Sequence, residues 1–276
     1  METDSGKTPA EHAAMNAAAW DEIAVERRAW LDGMGFDAAF FKAGGSMLSR
    51  VELAALGNLS GQRVLHLQCA TGEDTLSLAN RGATVTGLDV SAVEIEEARL
   101  KASAAGVPAS FEVADVQALP SQYRQADYDV VYTGLGALVW LDDLDGWARG
   151  ISDALTAGGT FLLYEEHPLE YVFEEIDGRL VVVHSYFEKA PEYETGWGHF
   201  PTERGAATKV EFSWTLSEVV SSLGRYGVAT VELAELPAWD ASPDGTRRYS
   251  LDRFPGLAAG DVGKLPVALL VRARKL

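Results

Sequence analysis

Residues Val64 to Ala79 read V-L-H-L-Q-C-A-T-G-E-D-T-L-S-L-A. The apolar run from Arg63 to Leu67 predicts a strand, and the segment from Glu73 to Asn80 predicts a helix. Residues 68–72 between them leave room only for a tight turn. Such a turn points backbone N–H groups and the positive end of a helix at whatever lies beyond the strand. The stretch therefore predicts a ligand-binding loop.

On both sides of this stretch, strand and helix patterns alternate at the spacing of β-α-β units. Before it we predict helices at residues 10–31 and at Ser49–Leu56, with Ser49 as the N-cap. After it we predict strands at Thr84–Leu88, Ser110–Val113, Tyr128–Thr133 and Thr160–Tyr164 and helices at Ala92–Ala105 and Leu144–Leu155. The pair Gly158-Gly159 is interpreted as the stop signal of the last of these helices.

The alternation breaks between about residues 167 and 214, where aromatic residues stand among glycines and prolines. Two strands are predicted inside this segment, at Leu180–Val183 and Lys209–Trp214. Beyond it we predict a helix at Leu216–Tyr226 and strands at Val228–Leu233 and Val267–Arg272, which can pair antiparallel because no helix separates them. The fold class is therefore α/β: a doubly wound, mostly parallel seven-stranded sheet with a terminal antiparallel strand, plus a β-rich insertion after strand five.

Asp89 ends the strand that follows the loop, where a carboxylate can accept both hydroxyls of an adenosine ribose. This geometry alone suits a nicotinamide dinucleotide equally well. The loop argues against a dinucleotide, because Gln68, Ala70 and Glu73 stand where its fingerprint has glycines. Glu73 and Asp74 would also place two negative charges beside a pyrophosphate. A nucleoside without phosphate and with positive charge fits these residues better.

The loop and the segments that follow it resemble the motifs of a known family. Residues 64–79 resemble motif I of the class I, Rossmann-like S-adenosylmethionine-dependent methyltransferases, in a variant branch reading L-Q-C-x-x-G-x-D-T-L. Further segments are similar to the family's second-strand, adenine-site, fourth-strand and fifth-strand motifs: Thr84–Ser91, Ala114–Val116, Tyr128–Thr133 and Leu155–Phe161. Trp20-Asp21-x-x-Ala24 is similar to an N-terminal helix that covers the cofactor in many of these enzymes. The likeness covers about residues 60–165.

The resemblance implies S-adenosyl-L-methionine as cofactor and a small molecule as methyl acceptor. It implies cofactor contacts from Trp20, Gln68, Cys69, Ala70, Gly72, Asp89, Val90, Asp115, Val116 and Thr133. The sequence departs from the family at His66, where Asp is usual, and at Gln68 and Ala70, where Gly is usual. By domain, we expect a disordered tail at residues 1–9, an N-terminal helical lid at 10–57 and a methyltransferase domain at 58–276 with its insertion at about 167–214.

Two residues are candidate catalytic groups because of their place at strand ends. His167 follows the fifth strand in Tyr164-Glu-Glu-His-Pro168, and ligands of doubly wound sheets lie beyond the carboxyl ends of the strands. A histidine there can act as a general base near neutral pH. The alternative is a loop histidine that caps the turn before Pro168. Tyr132, at the end of the fourth strand, is the second candidate.

The charge of the chain limits its partners. The formal net charge is −18, which repels phosphate backbones and anionic lipid, so we expect neither nucleic acid nor a membrane as a partner. Cys69 is the one cysteine, and the five histidines show no metal-ligand spacing, so we expect no disulfide and no metal. A cytoplasmic protein that is a monomer or a homodimer is the expectation.

Three functions remain open from the sequence. The first is methyl transfer to a small molecule, with the insertion and an aromatic loop from Trp239 to Phe254 closing over the acceptor. The second is a nucleotide-dependent oxidoreductase, which the missing glycines and the terminal strand pair disfavour. The third is a non-catalytic protein of the same fold that binds the cofactor without turnover, an alternative kept open by the replaced glycines.

Overall fold

A computed structural model of the chain describes residues 6–197, 206–238 and 263–276. Within these residues the helices are α1 (Pro9–Gly33), α2 (Ala38–Lys42), α3 (Arg50–Leu56), α4 (Glu73–Asn80), α5 (Ala92–Ala105), α6 (Leu144–Ala154) and α7 (Leu216–Arg225). The strands are β1 (Arg63–Leu67), β2 (Thr84–Asp89), β3 (Ser110–Val113), β4 (Tyr128–Thr133), β5 (Leu155–Glu166), β6 (Phe173–Ile176), β7 (Arg179–Val182), β8 (Glu192–Thr195), β9 (Thr208–Glu211), β10 (Val228–Leu236) and β11 (Ala268–Lys275). The loop Trp239–Phe254 lies outside the described residues.

The main sheet of the described chain has seven strands in the order β10-β11-β5-β4-β1-β2-β3. Strands β1 to β5 run parallel, and β11 pairs antiparallel with both β5 and β10. The predicted fold class is confirmed. The strand order reverses between β1 and β4, and such a reversal opens a crevice at the carboxyl ends of the two strands. The predicted binding loop follows β1 and therefore lies at this crevice.

Apolar side chains bury both faces of the sheet. One face packs on α6 and α7 through a cluster that includes Trp147, Phe161 and Leu223. The other face packs on α3 and α4 through Leu56, Leu78 and Leu162. Because both faces are covered, the central strands β1 and β4 are almost wholly buried. Among the helices of the described chain, none has the length and apolar character of a bilayer span.

Helix α1 begins where the sequence signals it. Thr8 is its N-cap and forms a capping box with Glu11, and Pro9 occupies the first turn. The short helix α2 was not predicted. Asp37 caps α2 through a hydrogen bond from the Phe40 backbone N–H to its carboxylate at 2.9 Å. Helix α3 begins with the predicted Ser49 cap, which is confirmed.

The interpretation of Gly158-Gly159 as a helix stop was wrong. Helix α6 ends at Ala154, and β5 already starts at Leu155, so both glycines lie inside the strand. Tyr128 of β4 pairs with Leu155, whereas Val130 pairs with Thr160. Gly158 has a φ of 75°, a conformation that glycine adopts without strain, and it accommodates the extra residues as an irregularity in the strand.

The segment after β5 has the predicted β character. It contains a 3-10 helix at Pro168–Val172, the hairpin β6-β7 and the hairpin β8-β9. Asn16 of α1 is buried against β9, where its amide donates to the Val210 carbonyl at 2.9 Å and accepts from the Val210 N–H at 2.8 Å. These two hydrogen bonds join the N-terminal helix α1 to strand β9 of the insertion.

Candidate functional site

The loop after β1 keeps a left-handed backbone at three alternate residues. Gln68, Ala70 and Gly72 have φ values of 57°, 46° and 85°. These are the positions at which the resembled family usually has glycine. A side chain in this region costs of order 1–3 kcal/mol, so the surroundings must stabilise the loop. Two contacts do so: Gln68 donates to the Ala137 carbonyl at 2.7 Å, and the Ala70 N–H donates to the Asp89 carboxylate at 2.9 Å.

Gly72 packs closely on the layer beneath the loop. A Cβ atom on Gly72 would lie 2.8 Å from the Phe111 ring and 3.0 Å from the Cβ atom of Ala98. Both neighbours belong to the apolar layer under the loop, together with the buried Cys69. Gly72 therefore allows the loop to pack on β3 and α5, and its N–H bonds the Cys69 carbonyl at 2.9 Å.

Asp89 lies at the carboxyl end of β2 and is bound into the same site. One carboxylate oxygen accepts from Ala70 N–H, and the other accepts from Ser91 N–H at 3.0 Å. Burial raises the pKa of Asp89, and these two backbone N–H groups act in the opposite direction. The neighbouring Val90 is half-buried between Asp89 and the start of α5. The contacts join the second strand to the loop after the first.

The remaining predicted cofactor residues lie at the ends of β3 and β4. Asp115 follows β3 and caps a short 3-10 helix by accepting from Gln117 N–H at 2.9 Å, and Val116 is buried beneath it. Thr133 ends β4 and is fully buried. Among the described residues, the Thr133 hydroxyl and the Gln68 side-chain oxygen are buried without a hydrogen-bond partner. Two such acceptors at adjacent strand ends suit a ligand that carries hydroxyl or ammonium donors.

Helix α1 lies across these strand ends. Its Asp21 carboxylate accepts from the Ser91 hydroxyl at 2.6 Å and from Val93 N–H at 3.1 Å, so it caps α5 in trans. Trp20, one residue earlier, contacts Trp140 and Trp197 with ring centroids 5.3 and 4.4 Å away. These three tryptophans form a half-buried aromatic cluster between α1, the end of β4 and the insertion. Trp20 also lies 5.9 Å from the guanidinium of Arg27. Its role as part of a lid stays a prediction.

A narrow crevice lies between α1, the loop after β1 and the end of β4. It is lined by Arg27, His66, Gln68, Glu73, Asp74 and Gly134, among others. A larger cavity of about 610 Å³ opens at the opposite edge of the sheet, beside Asn58, Asp129 and Gly158. That edge holds the amino-terminal ends of β1 and β4, whereas ligands of doubly wound sheets lie at the carboxyl ends. The narrow crevice is therefore the candidate site.

The structure gives His167 a capping role. The ring is buried, and its Nδ1 accepts from Leu169 N–H at 3.1 Å, which caps the 3-10 helix that begins at Pro168. Its Nε2 contacts the Glu235 carboxylate at 2.9 Å. If Nδ1 accepts, Nε2 carries the proton, so both ring nitrogens are engaged. This geometry matches the alternative interpretation from sequence and weighs against a general base, although the catalytic role stays a prediction.

Tyr132 is also placed unfavourably for catalysis. The side chain is fully buried, and its hydroxyl donates to Glu52 of α3 at 2.5 Å. The same hydroxyl lies 3.5 Å from the Asp74 carboxylate, which lines the crevice. Tyr132 thus lies beneath the crevice floor, and contact with an acceptor would require its burial to change. Its catalytic role stays a prediction as well.

Sequence reasoning missed three charged residues around the site. Glu165 of β5 accepts from the backbone N–H groups of Gly136, Ala137, Leu138 and Glu166, so it shapes the turn after β4. Burial and the nearby Glu166 raise the pKa of Glu165 to about 7. Glu94 of α5 is buried beside Arg27, and burial raises its pKa to about 8. A signal existed for Arg27, since it lies two helical turns after Trp20 on the same face of α1.

Comparison with known proteins agrees with this arrangement. Residues 64–159 match the family model described as a methyltransferase domain. Over 75 residues the chain is 37% identical to the ubiquinone biosynthesis O-methyltransferase of Photorhabdus laumondii, which covers 27% of this chain and 31% of that protein. Over 149 residues it is 30% identical to the protein of the same name from Bordetella pertussis, which covers 50% and 61%. The chain thus spans less than two thirds of the length of these relatives.

A solved structure extends the likeness to most of the chain. The S-adenosylmethionine dependent methyltransferase from Mesorhizobium loti is 26% identical, with a TM-score of 0.60 over 80% of this chain and 94% of that one. The fold is therefore the α/β fold of methyltransferases, with extra antiparallel hairpins after β5. The cofactor that the comparisons support is S-adenosylmethionine.

Proposed function

We propose that this protein transfers a methyl group from S-adenosylmethionine to a small-molecule acceptor. The observation that carries the proposal is the convergence of the left-handed loop, Asp89 and Asp115 at the carboxyl edge of the sheet, beneath α1. In this arrangement Asp89 binds the ribose hydroxyls, and Asp115 with Val116 forms the adenine end. The residues 68–72 would hold the centre of the cofactor through their backbone.

The chemistry needs little from the side chains of the protein. The bound cofactor supplies a sulfonium methyl group that a nucleophilic acceptor displaces in line. The protein contributes alignment and a site from which water is excluded. The aromatic cluster of Trp20, Trp140 and Trp197 would help to exclude water on the side of the insertion. Because His167 and Tyr132 are both engaged elsewhere, an acceptor that is nucleophilic without a protein base fits the site best.

The two alternative functions are weaker. A dinucleotide would bring its pyrophosphate to the start of α4, where Glu73 is buried and forms an ion pair with Lys101. A non-catalytic protein was kept open by the replaced glycines. Since Gln68 and Ala70 keep the left-handed backbone, their replacement alone gives no reason for a loss of turnover.

The test is an unbiased search for the acceptor. The purified protein is incubated with a metabolite extract and S-adenosylmethionine that carries a deuterated methyl group. Mass spectrometry then identifies products that gain the label, and a protein with Asp89→Ala serves as the control. A labelled small molecule that depends on Asp89 supports the proposal. Binding of S-adenosylhomocysteine without any labelled product from extracts of several sources would favour the non-catalytic alternative.

A further inference from the structure

The cavity of about 610 Å³ at the opposite edge of the sheet takes no part in the proposed function. Its walls are the end of α3 with the turn that follows, residues 156–160 of β5 and the last residues of β11. The residues expected to contact the cofactor follow the carboxyl ends of the parallel strands, on the other side of the molecule. The volume of the cavity is within the range of small-molecule sites.

One wall of the cavity is the irregular part of β5. Leu155 pairs with Tyr128 and Thr160 pairs with Val130, so residues 156–159 pair with neither β4 nor β11 in the sheet. Thr156 and Thr160 bring hydroxyl groups to this wall. The glycines at 158 and 159 lie between them and add no side chain, so a ligand can approach the backbone closely.

The facing wall carries two arginines of β11. Arg272 and Arg274 occupy alternate positions, about 7 Å apart along the strand, so both side chains leave the same face of the sheet. The Nε atom of Arg272 donates to the Glu232 carboxylate at 2.8 Å, and within the described chain its two terminal nitrogens have no further partner. The exposed side chain of Arg274 has neither an ion pair nor a hydrogen bond to any described residue.

The lining has a charge opposite to that of the whole molecule. Two arginines stand against one carboxylate, Asp129, whereas the chain as a whole carries −18. The Asp129 carboxylate already accepts from Arg63 N–H at 2.8 Å. The Asn58 side-chain oxygen accepts from Ser60 N–H at 3.0 Å, which leaves its amide N–H groups as donors. The groups that remain available are therefore mostly donors and cations.

We propose that this cavity binds a small dianion, either a phosphate monoester or a dicarboxylate. Each guanidinium stays protonated and can give two parallel hydrogen bonds to the oxygens of a phosphate or a carboxylate. Two guanidiniums on one face therefore match two negative charges, and the threonine hydroxyls and the Asn58 amide can donate to the remaining oxygens. The proposal goes beyond the proposed function and does not depend on the binding of S-adenosylmethionine.

The experiment is a titration of the whole protein with inorganic phosphate and, separately, with succinate. Sodium chloride keeps the ionic strength constant, so that general screening does not change. The ¹H–¹⁵N signals of the Gly158 and Gly159 amides report on the cavity, and that of Gly136 reports on the crevice at the other edge. The separate titrations distinguish the two classes of dianion by their affinities.

The variants are Arg274→Gln, Arg274→Lys and the matched control Arg225→Gln. Arg225 is an exposed arginine of α7 that pairs with Asp145, so its substitution removes the same charge away from the cavity. Thermal unfolding followed by circular dichroism establishes that each variant is folded.

We expect the Gly158 and Gly159 signals to shift saturably with at least one of the two anions, with a Kd of about 1 mM, and the Gly136 signal to stay in place. Arg274→Gln should weaken this binding by about tenfold, because a charge-assisted pair of hydrogen bonds is lost. Arg274→Lys should weaken it by about threefold, since the charge remains without the planar fork. Arg225→Gln should bind within about twofold of the wild type.

Three results would overturn the proposal. Shifts that are absent, or that grow linearly with both anions, would show that the cavity has no dianion site. Saturable binding with equal affinity in Arg274→Gln and the wild type would show that Arg274 takes no part in it. A saturable shift confined to Gly136 would place the anion at the crevice instead of the cavity.

Discussion

The ends of β1 and β5 face the same edge of the sheet, yet they differ in what they offer a ligand. After β1 the chain turns through three left-handed residues and leaves the Gln68 side-chain oxygen and the start of α4 at the crevice. After β5 the polar side chains are engaged by the backbone, since His167 caps the next turn and Glu165 accepts from the turn after β4. Position at a strand end is therefore not enough. Both ring nitrogens of His167 are engaged, whereas a carboxylate such as Asp89 that accepts backbone N–H groups keeps further acceptor capacity for a ligand.

The largest expected effect comes from breaking the β1 side. Gly72→Val should abolish cofactor binding and lower the free energy of unfolding by about 3 kcal/mol, because a branched side chain meets both a left-handed backbone and the Phe111 ring. Gly44→Val is the matched control, since Gly44 has a φ of 86° and no atom of the described residues lies within 4 Å of a Cβ built there. Urea unfolding measures both. Equal losses in the two variants would mean that backbone strain alone, and not packing under the loop, makes Gly72 necessary.

Asp89→Ala should weaken binding of S-adenosylhomocysteine by about 1–3 kcal/mol, because charge-assisted hydrogen bonds to the ribose are lost. The variant also releases the N–H groups of Ala70 and Ser91, so the loop should open. Calorimetry gives the affinity, and Asp129→Ala, at the opposite edge of the sheet, is the control. An unchanged affinity would remove Asp89 from the site.

Glu94 makes the β1 side sensitive to pH. The pKa of Glu94 is about 8 in the folded protein, against an ordinary value of 4.5. Between pH 4.5 and pH 8 the carboxyl group is therefore protonated in the folded protein and ionised in the unfolded chain. Stability therefore falls as the pH rises through this window. Glu94→Gln cannot lose a proton, so we expect its stability to be close to that of the wild type at pH 5 and to exceed it by about 4 kcal/mol at pH 8.5.

The control for Glu94 is Glu97→Gln on the same helix, which breaks the pair with Arg28. This variant should lose stability at both pH values. Urea unfolding at pH 5 and pH 8.5 provides the comparison. A Glu94→Gln protein with the same pH dependence as the wild type would show that Glu94 is ionised in the fold.

The smallest effect is expected on the β5 side. His167→Ala should lower the free energy of unfolding by about 1 kcal/mol through loss of the cap, and should leave the turnover of the folded protein nearly unchanged. His184→Ala is the control, because His184 is exposed in the insertion and its ring lies 3.4 Å from the Glu192 carboxylate. The measurement is the rate at saturating acceptor for the wild type and both variants from pH 5.5 to 9. A fall of about 10²-fold or more would return His167 to a catalytic role.

The sequence was sufficient for the parts of the molecule that depend on local patterns. The strand, turn and helix of residues 63–80, the Ser49 cap and the antiparallel last strands follow from periodicity and capping residues, and the structure confirms them. The irregularity at Gly158 was missed, because a glycine pair after a helix looks the same whether it ends the helix or distorts a strand.

The contacts that shape the site depend on residues far apart in the chain, and no local pattern reveals them. Arg27 meets Thr71, Asp21 meets Ser91, and Glu165 meets the turn at Gly136 only after the sheet has formed. The expected cofactor residues could be named because each lies in a segment that resembles a family motif. The acceptor side has no such motif, and both catalytic candidates chosen by position alone are engaged in structural contacts.

The most direct test of the central claim is a calorimetric titration of the wild-type protein with S-adenosylhomocysteine, repeated with NADH. We predict saturable heat with a stoichiometry of one S-adenosylhomocysteine per chain, loss of that heat in Gly72→Val, and none with NADH. Saturable binding of NADH, or no binding of S-adenosylhomocysteine by a folded protein, would contradict it.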